Sequence, residues 1–402
     1  MKVTGNHKTS SFQFDAEGLA PALQRTAGIR VETIKDSDAL SRIETEWRDL
    51  CSRAPEHDFF QTFTWVWPWW KYLGQPLGYE LHIVTVRMDG RLVLIWPLVA
   101  RKQGLWRVGG WLGTGSGQYG DLVIEEGPDR TIWFEAAWRA ITTGRGIDVL
   151  HLEGIREDAV VRRFLIKKKG RIKVTSTSPY VDICKWQDWD AFHTGLKRGF
   201  RRNLQRTRRR LNEKGQLVHR FIEDPMEFES IVTRSISLKL NWLKKRNTYG
   251  RLLEKPELER WLNHVVLAAQ RDSALKMSTL SLDDSIIATQ IGFLHHGHYY
   301  SYFGSFDTDY TSLQPGKVET TNTLMWAFEN GVETFDLMPP ADDYKLDWAR
   351  HEATVVIFDS YPTVLGRLGK VWYGSGLRDK ALWIYGRLPR RFRRFVVRLF
   401  AI

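Results

Sequence analysis

The segment Gln314-Pro315-Gly316-Lys317-Val318 has the residue types that hold an anionic group at the start of a helix. Pro315 fixes the backbone at the turn, and Gly316 lets another molecule approach the backbone closely. The first N–H groups of a helix have no partner within the helix, so they can bind a pyrophosphate. The sequence therefore predicts a cofactor site here. The alternative is an ordinary loop that begins a helix.

A carboxylate, Asp336, follows in the segment Phe335-Asp336-Leu337-Met338. The apolar neighbours predict a strand that ends at a cleft with Asp336 pointing into it. Because burial disfavours the charged form of a carboxyl group, we expect a raised pKa, which suits a base that accepts a proton from an attacking amine. The alternative is a hydrogen-bonded structural carboxylate.

A second substrate needs contacts of its own, and the first half of the chain offers candidates. Gln61 and Trp65 lie one helical turn apart, so both can reach an acceptor, although capping of a helix is an equal alternative for them. Asp121 follows a Gly-rich stretch at residues 109–120 and is a weaker candidate of the same kind.

The basic run at residues 197–210 places Arg202 and Arg206 on one flank of a predicted helix, where they can bind an anionic acceptor. A solvated basic helix is the alternative. No base-reading motif accompanies the run, so no specific nucleic acid partner is predicted.

Composition narrows the class of protein. The chain has 402 residues, a formal net charge of +12, 43% hydrophobic residues and 18 Trp. These values predict a folded protein of two domains with an anionic partner. Cys51 and Cys184 stand far apart without Cys or His metal spacing, which argues against a disulfide scaffold or a metal site and favours a reducing, cytoplasmic location. No signal peptide or spanning segment is apparent.

Turn signals and apolar periodicity predict the order of elements. The first half should contain a strand at residues 29–34, helices from 37 and 62, strands at 81–87 and 92–101, and later a helix, strand, helix and strand ending near 183. The second half should contain three helices, strands at 276–282, 286–295 and 298–306, a helix from Pro315, a strand at 334–338, a short helix and a strand at 354–358. The similar order suggests a duplicated architecture.

These elements divide the chain into four predicted parts: a mobile polar leader at residues 1–28, domains at 29–183 and 184–360, and a tail at 361–402. The end of the tail combines Arg390, Arg391 and Arg394 with Phe392 and Phe395. This pattern is typical of a basic amphipathic helix on an anionic membrane surface, so the protein is expected in the cytoplasm or at the inner face of the membrane. The alternative is a helix packed on the body.

Four segments together carry a family resemblance: residues 60–71, 201–206, 302–316, and Phe335-Asp336 with Asp343-Tyr344-Lys345. In order and spacing they resemble the CelD/BcsL-type acetyltransferases, a branch of the GNAT superfamily with tandem domains. The resemblance covers roughly residues 35–360. It implies an α/β (α+β) fold of two tandem GNAT-like domains, each with a mixed, mostly antiparallel sheet flanked by helices.

The resemblance also implies an activity, which is transfer of acetyl from acetyl-CoA to an amino group of a sugar or sugar-linked precursor in exopolysaccharide, cellulose or cell-envelope polysaccharide biosynthesis. Lys345 then holds a phosphate or sugar carboxylate, and Tyr344 donates a proton to an oxyanion or leaving thiolate. A solvated Lys beside a packed Tyr is the alternative. The cofactor turn lacks the Gly-x-Gly ending of many acetyltransferases, which leaves the acyl donor open.

Two other functions remain open. FemXAB-type enzymes share the tandem fold and transfer aminoacyl groups from transfer RNA into peptidoglycan precursors. They commonly carry a paired helical arm, and none is apparent between Lys255 and Lys276. The other alternative is a non-catalytic protein that binds a nucleotide or glycan on the same fold.

Overall fold

The structure is a computed structural model that describes residues 28–144, 146–248 and 252–374. Nearly all of the predicted leader and the final part of the predicted basic tail, from residue 375, lie outside the described residues. Within the described part of the chain, no helix is long and apolar enough to cross a membrane.

Strands and helices are interspersed along both halves of the chain. The strands are β1 Ile29–Ile34, β2 Glu80–Leu81, β3 Ile83–Met88, β4 Arg91–Trp96, β5 Leu98–Gln103, β6 Trp106–Trp111, β7 Val123–Ile124, β8 Val149–Arg156, β9 Arg171–Asp182, β10 Leu217–Phe221, β11 Leu275–Leu282, β12 Ser285–His295, β13 His298–Phe306, β14 Thr334–Asp336 and β15 His351–Ser360. The α-helices are α1 Ser37–Arg42, α2 Glu44–Arg53, α3 Phe63–Trp69, α4 Arg130–Thr143, α5 Val160–Leu165, α6 Trp189–Gly195, α7 Arg198–Asn212, α8 Pro225–Lys245, α9 Pro256–Arg271, α10 Pro315–Glu329 and α11 Val364–Gly374.

One large sheet runs through both halves of the chain. Its strand order is β10-β11-β12-β13-β14-β9-β15-β8-β6-β5-β2. Two neighbouring pairs, β13 with β14 and β6 with β8, are parallel, and the remaining pairs are antiparallel. A second sheet, β1-β3-β4-β7, is antiparallel throughout. The mixed, mostly antiparallel architecture predicted from the sequence is confirmed.

The two halves exchange their closing strands. β9 ends the first half, yet it pairs with β14 of the second half, and β15 ends the second half, yet it pairs with β8 of the first. β9 and β15 also pair with each other. The predicted domain boundary between residues 183 and 184 lies just after the end of β9. Strands from the two sides of this boundary pair with each other, so the boundary stays a prediction.

Pro97 interrupts a segment that its apolar pattern predicts to be one strand. Residues 92–101 were expected to be a single strand, and that expectation is wrong: β4 ends at Trp96 and β5 begins at Leu98. Proline has no N–H to donate to a sheet, so it is disfavoured inside a central strand. Here the chain passes from the small sheet to the large one at this residue.

Helices cover both faces of the large sheet in the second half. Leu211 of α7 and Val318 of α10 pack with Leu280 and Ala288 on one face. On the other face, α8 and α9 share a core with Phe293 and with α3 of the first half. The indole rings of Trp65 in α3 and Trp261 in α9 meet edge to face with centroids 5.0 Å apart. This core therefore joins the two halves through side chains as well as strands.

Replacing Trp261 by Ala should lower the free energy of unfolding by about 3–5 kcal/mol, because a buried indole leaves a cavity that the surroundings only partly fill. Urea unfolding followed by circular dichroism and fluorescence should show one transition, since both halves share the core and the sheet. Leu267→Ala on the same helix is the control; this residue is 38% exposed and its loss should cost less than about 1 kcal/mol. Two separate transitions would contradict the shared core.

Candidate functional site

An opening exists between β13 and β14, and we call it the wedge. The two parallel strands pair only from His298 to Tyr300 and from Thr334 to Asp336. β13 continues to Phe306, but β14 ends at Asp336. Within the described residues, the last part of β13 therefore has no paired strand on this side, and its backbone groups can bind an extended ligand.

The predicted cofactor turn lies at the far end of β13. Gln314 adopts a left-handed conformation with φ 43° and ψ 50°, and α10 begins at Pro315. The Gln314 Oε1 atom is buried without a hydrogen-bond partner. A Cβ atom added at Gly316 would lie 3.5 Å from the ring of Phe306, an ordinary contact, so packing does not require glycine there. The helix N-terminus is present as predicted.

Lys317 connects this turn with the Tyr344–Lys345 segment. Its Nζ atom lies 2.8 Å from Oδ2 of Asp347, which follows Lys345 in a short 3-10 helix. The same Nζ atom lies 5.1 Å from the ring centroid of Phe200. Three groups that are separate in the sequence thus meet beside the start of α10.

The ammonium group of Lys345 forms hydrogen bonds within the protein. Its Nζ atom donates to the carbonyl oxygens of Met338 at 2.8 Å and Pro340 at 2.9 Å, and the residue is 7% exposed. Burial lowers the pKa of Lys345 to about 8. Tyr344 is 46% exposed, and desolvation raises the pKa of its phenol to about 12, so it keeps its proton at neutral pH. Lys345 fixes the loop after β14, whereas Tyr344 remains available as a donor.

Asp336 is at the centre of a buried polar network. Its side chain is fully buried, and it accepts hydrogen bonds from the Tyr119 hydroxyl at 2.8 Å, the Ser178 hydroxyl at 2.8 Å, the Met338 backbone N–H at 2.7 Å and the Arg156 guanidinium, with His298 Nε2 at 3.3 Å.

These partners decide the charge of Asp336. Desolvation acts to raise its pKa, but the hydrogen bond from His298 and the charge of Arg156 outweigh it and lower the pKa to about 2. The expectation of a raised pKa is therefore wrong, because the sequence does not reveal these partners. Asp336 is a permanent carboxylate at neutral pH.

Arg156, at the end of β8, supplies the balancing charge from the other half of the chain. It forms ion pairs with Asp336 and with Asp158 at 3.0 Å. Its guanidinium carbon lies 5.4 Å from the ring centroids of both Tyr119 and Tyr180. Burial disfavours the cation, but the Asp336 carboxylate holds the pKa of Arg156 above its usual value.

Arg156, Tyr119 and His298 were not predicted from the sequence as site residues. Arg156 is 180 residues from Asp336 in the sequence, so no linear spacing connects them. The one local signal available was the charged residue Arg156 at the end of a mostly buried strand.

A cavity of about 270 Å³ lies beside this network. Tyr119 lines it and also bonds to Asp336, and Pro339 of the loop after β14 lines it from the second half. The remaining walls come mainly from the start of α3, the Gly-rich stretch and β9; they include Phe60, Gln61, Trp65, Trp111, Gly113, Gly117, Asp121, Thr175 and Ser176. The structure thus brings Gln61, Trp65 and Asp121 to one cavity, as the prediction of an acceptor site requires.

Glycines keep one wall of the cavity open. The Nε1 atom of Trp65 is buried without a hydrogen-bond partner. A Cβ atom added at Gly113 or Gly117 would lie 3.1 Å or 3.6 Å from it. Glycine at these two positions leaves room beside the indole ring, whose N–H has almost no exposed surface.

Unlike the indole N–H of Trp65, the polar groups of Gln61 and Asp121 have hydrogen-bond partners within the protein. The Gln61 amide accepts from the Asp58 N–H at 3.0 Å and donates to the Tyr119 carbonyl at 3.3 Å, so it caps the short 3-10 helix Phe59–Gln61, whose N-cap residue is Asp58. Asp121 accepts from three backbone N–H groups, including Val160 and Val161 at the start of α5. Burial raises the pKa of Asp121 to about 8. Asp121 anchors the helix from the wall of the cavity.

Arg202 and Arg206 lie elsewhere. Both are on α7, with Arg206 exposed on the flank away from the buried residues Phe200, Leu204 and Leu211. Neither lines the cavity. Their predicted part in acceptor binding remains a prediction about the surface of α7.

Comparisons with known proteins concern the fold and the broad class of the chain. The profile of the family described as Acetyltransferase (GNAT) domain matches residues 198–346. No curated protein sequence matches the chain. The prediction of an enzyme is confirmed by the family match, and the coarse class is an acyltransferase of GNAT-like fold.

Several solved structures are similar in fold. The crystal structure of FemX has a TM-score of 0.57 at 10% identity, over 85% of this chain and 99% of that one. The C-terminal domain of a putative lysylphosphatidylglycerol synthetase from Agrobacterium fabrum has a TM-score of 0.51 at 12% identity, over 79% and 92%. A tandem GNAT protein from the clavulanic acid biosynthesis pathway has a TM-score of 0.49 at 11% identity, over 83% and 99%. At such identities the similarity concerns the fold.

Replacing Asp336 by Asn should lower the free energy of unfolding at pH 7 by about 3–5 kcal/mol, because the charge of Arg156 would stay buried without its partner. The lowered pKa of Asp336 means that its stabilisation is complete above about pH 4 and is lost as the pH falls towards 2. The difference between the wild type and the variant, measured by urea unfolding, should therefore shrink over that range.

Asp309→Asn is the control, since Asp309 forms an exposed pair with Lys245 that contributes about 0–1 kcal/mol. A difference between wild type and Asp336→Asn that stayed constant from pH 7 to pH 2 would show that the charge of Asp336 is not what stabilises the network.

Proposed function

We propose that this acyltransferase of GNAT-like fold transfers acetyl from acetyl-CoA to an amino group of a sugar or sugar-linked precursor in exopolysaccharide or cell-envelope polysaccharide biosynthesis. The observation that carries the proposal is the cavity beside the Asp336 network, with aromatic walls and an unpartnered indole N–H. The resemblance to CelD/BcsL-type acetyltransferases supports the choice of pathway.

The acceptor side suits a single sugar ring. The cavity of about 270 Å³ is a little smaller than the roughly 300–1,000 Å³ of sites for drug-sized ligands. Aromatic faces pack against the apolar face of a sugar, and Phe60, Trp65, Trp111 and Tyr119 all contribute to the walls. The backbone of the Gly-rich stretch offers hydrogen bonds to hydroxyl groups.

The donor side combines the wedge with the start of α10. The seven residues from Tyr300 to Phe306 span about 20 Å at the usual rise of a strand, a length that an extended pantetheine arm can cover. The pyrophosphate would then lie at the N–H groups that follow Pro315, where the helix dipole favours an anion. The thioester would lie near Asp336, at the closed end of the wedge.

The reaction joins the acceptor nitrogen to the thioester carbonyl carbon and breaks the bond from that carbon to sulfur. The amine gives up one proton to water, and the departing thiolate takes one from the Tyr344 phenol, which regains its proton from water. We assign Tyr344 this role because its side chain is 46% exposed and carries its proton at neutral pH. With its low pKa, Asp336 is a poor base for an amine, so we assign it as a positioning residue that holds Tyr119 and Arg156.

An aminoacyl donor is the main alternative, because FemX has a similar fold. The segment where a paired helical arm was sought contains the single helix α9, so the arm common in FemXAB-type enzymes is not found among the described residues there. Assays with acetyl-CoA and with aminoacyl transfer RNA, each against a panel of amino sugars and peptidoglycan precursors, separate the two activities.

Gly316→Trp should abolish binding of acetyl-CoA in isothermal titration calorimetry, because the indole would cover the first N–H groups of α10. Gly316→Ala is the matched control and should bind as the wild type does, since its Cβ makes only an ordinary contact with Phe306. Binding of acetyl-CoA that is unaffected in Gly316→Trp would remove this turn from the donor site. Binding of aminoacyl transfer RNA alone would replace the proposed donor.

Gly117→Ala should raise KM for the amino-sugar acceptor by roughly tenfold or more while KM for acetyl-CoA stays unchanged, a loss of about 1.4 kcal/mol or more in binding. The added Cβ would lie 3.6 Å from Trp65 Nε1, so it fills the cavity without a severe clash. Gly199→Ala on α7 is the control, because nothing lies within 4 Å of its added Cβ. Equal KM values in wild type and Gly117→Ala would argue against this cavity as the acceptor site.

A further inference from the structure

Three histidines meet where the turn between β12 and β13 packs against the segment before Phe59. They are His57 from the first half of the chain and the adjacent pair His295 and His296 from the second. One ring nitrogen of each lies within 4.8 Å of the others. The closest two, His57 Nε2 and His295 Nε2, are 3.0 Å apart. None of these residues lines the cavity.

The ring of His57 is oriented by the backbone. Its Nδ1 atom contacts the carbonyl oxygen of Ala54, which can only accept a hydrogen bond, so Nδ1 carries the proton. The lone pair of His57 is therefore on Nε2, the atom that faces His295. A carbonyl that fixes the tautomer from behind is the usual arrangement around histidines that bind metal ions.

The turn that presents the other two histidines is left-handed at both central residues. His296 and Gly297 form a two-residue hairpin turn with φ angles of 48° and 72°, closed by the pair His295 and His298. Such turns favour Asn-Gly or Asp-Gly, and His also tolerates the left-handed conformation. The left-handed conformation brings the rings of His295 and His296 to a centroid distance of 4.1 Å.

We propose that His57, His295 and His296 form a site for a divalent transition-metal ion of the zinc type. Three imidazole nitrogens are a ligand set for such ions, and a fourth position can hold water. Zinc–nitrogen bonds of about 2.0–2.1 Å in a tetrahedron put neighbouring nitrogens roughly 3.3–3.4 Å apart, close to the separation of His57 and His295. His296 is on the exposed side of the cluster, which gives the ion a route from solvent.

Burial favours the neutral rings that a metal ion needs. Desolvation lowers the pKa of His57 to about 4 and also lowers the pKa of His295 and His296. The alternative is that no ion binds and that the two neutral imidazoles form a hydrogen bond, in which His295 Nε2–H donates to His57 Nε2.

A metal ion here would connect the two halves of the chain next to the Asp336 network. His57 precedes Asp58, which accepts a hydrogen bond of 2.7 Å from the Tyr300 hydroxyl. Tyr300 in turn stacks on His298 at a centroid distance of 4.3 Å. The ion would thus hold the segment before α3 against the start of β13, and the site stands whether or not the proposed acetyl transfer is correct.

The test uses the full chain without a histidine tag, freed of metal with a chelator and then titrated with Co²⁺. One Co²⁺ per chain should bind and give the intense visible absorption of a tetrahedral ion, and Zn²⁺ should displace it. His296→Asn is the sharpest variant, because Asn suits the left-handed position and removes only the ligand. We expect its affinity to fall more than about 100-fold, beyond the effect of losing an outer partner of the site.

His264→Asn is the control. His264 is exposed on α9 beside Tyr72 and should leave the Co²⁺ spectrum and affinity unchanged. Zn²⁺ should also raise the melting temperature of the wild type and of His264→Asn but not of His296→Asn, and His295→Gln supplies a second ligand variant if His296→Asn melts early without metal. No cobalt spectrum, or equal affinity in the wild type and both ligand variants, would overturn the proposal in favour of the hydrogen-bonded pair.

Discussion

The ion pair between Arg156 and Asp336 is the constraint on which the rest of the site depends. Each charge is buried, and each comes from a different half of the chain. Two charges removed from water are tolerated only when good geometry and further hydrogen bonds satisfy them. Tyr119, Ser178, His298 and the Met338 N–H provide those bonds to Asp336, and so they fix the positions of β13, β14 and the Gly-rich stretch together.

The ion pair also explains why the cavity lies at the junction of the halves. Tyr119 faces the cavity and bonds to Asp336, so the wall of the cavity and the buried charge are connected by one hydrogen bond. The same junction holds the closed end of the wedge, because β14 ends at Asp336. A donor that enters along β13 and an acceptor in the cavity would approach each other from two sides of this network.

Local secondary structure was predicted well from the sequence, whereas contacts between side chains that are distant in the sequence were not. The helix at Pro315, the hairpin of β12 and β13 and the strand that ends near Asp336 follow from turn residues and apolar patterns, which act over a few neighbours. The charge state of Asp336 was predicted in the wrong direction, because it depends on Arg156 and His298, and Arg156 lies far away in the sequence.

What each predicted side chain contacts also depends on residues that are far away in the sequence or that no local pattern reveals. Lys345 was expected to bind a ligand, but its ammonium group donates hydrogen bonds to two carbonyl oxygens of the loop after β14. Trp65 was predicted from its helical spacing with Gln61, whereas its place beside the cavity depends on the missing side chains of Gly113 and Gly117. The histidine cluster had no signal in the sequence, because His57 and His295 are 238 residues apart.

The exchange of closing strands has a consequence for how the chain acquires its structure during synthesis. The ribosome makes β8 long before β15, so the first half emerges with an unpaired strand edge where β15 will bind. Exposed strand edges are sites of aggregation, and pairings between distant residues form slowly because a long loop must close first. The pairing of β15 with β8 and β9 therefore forms only after residues 351–360 have left the ribosome.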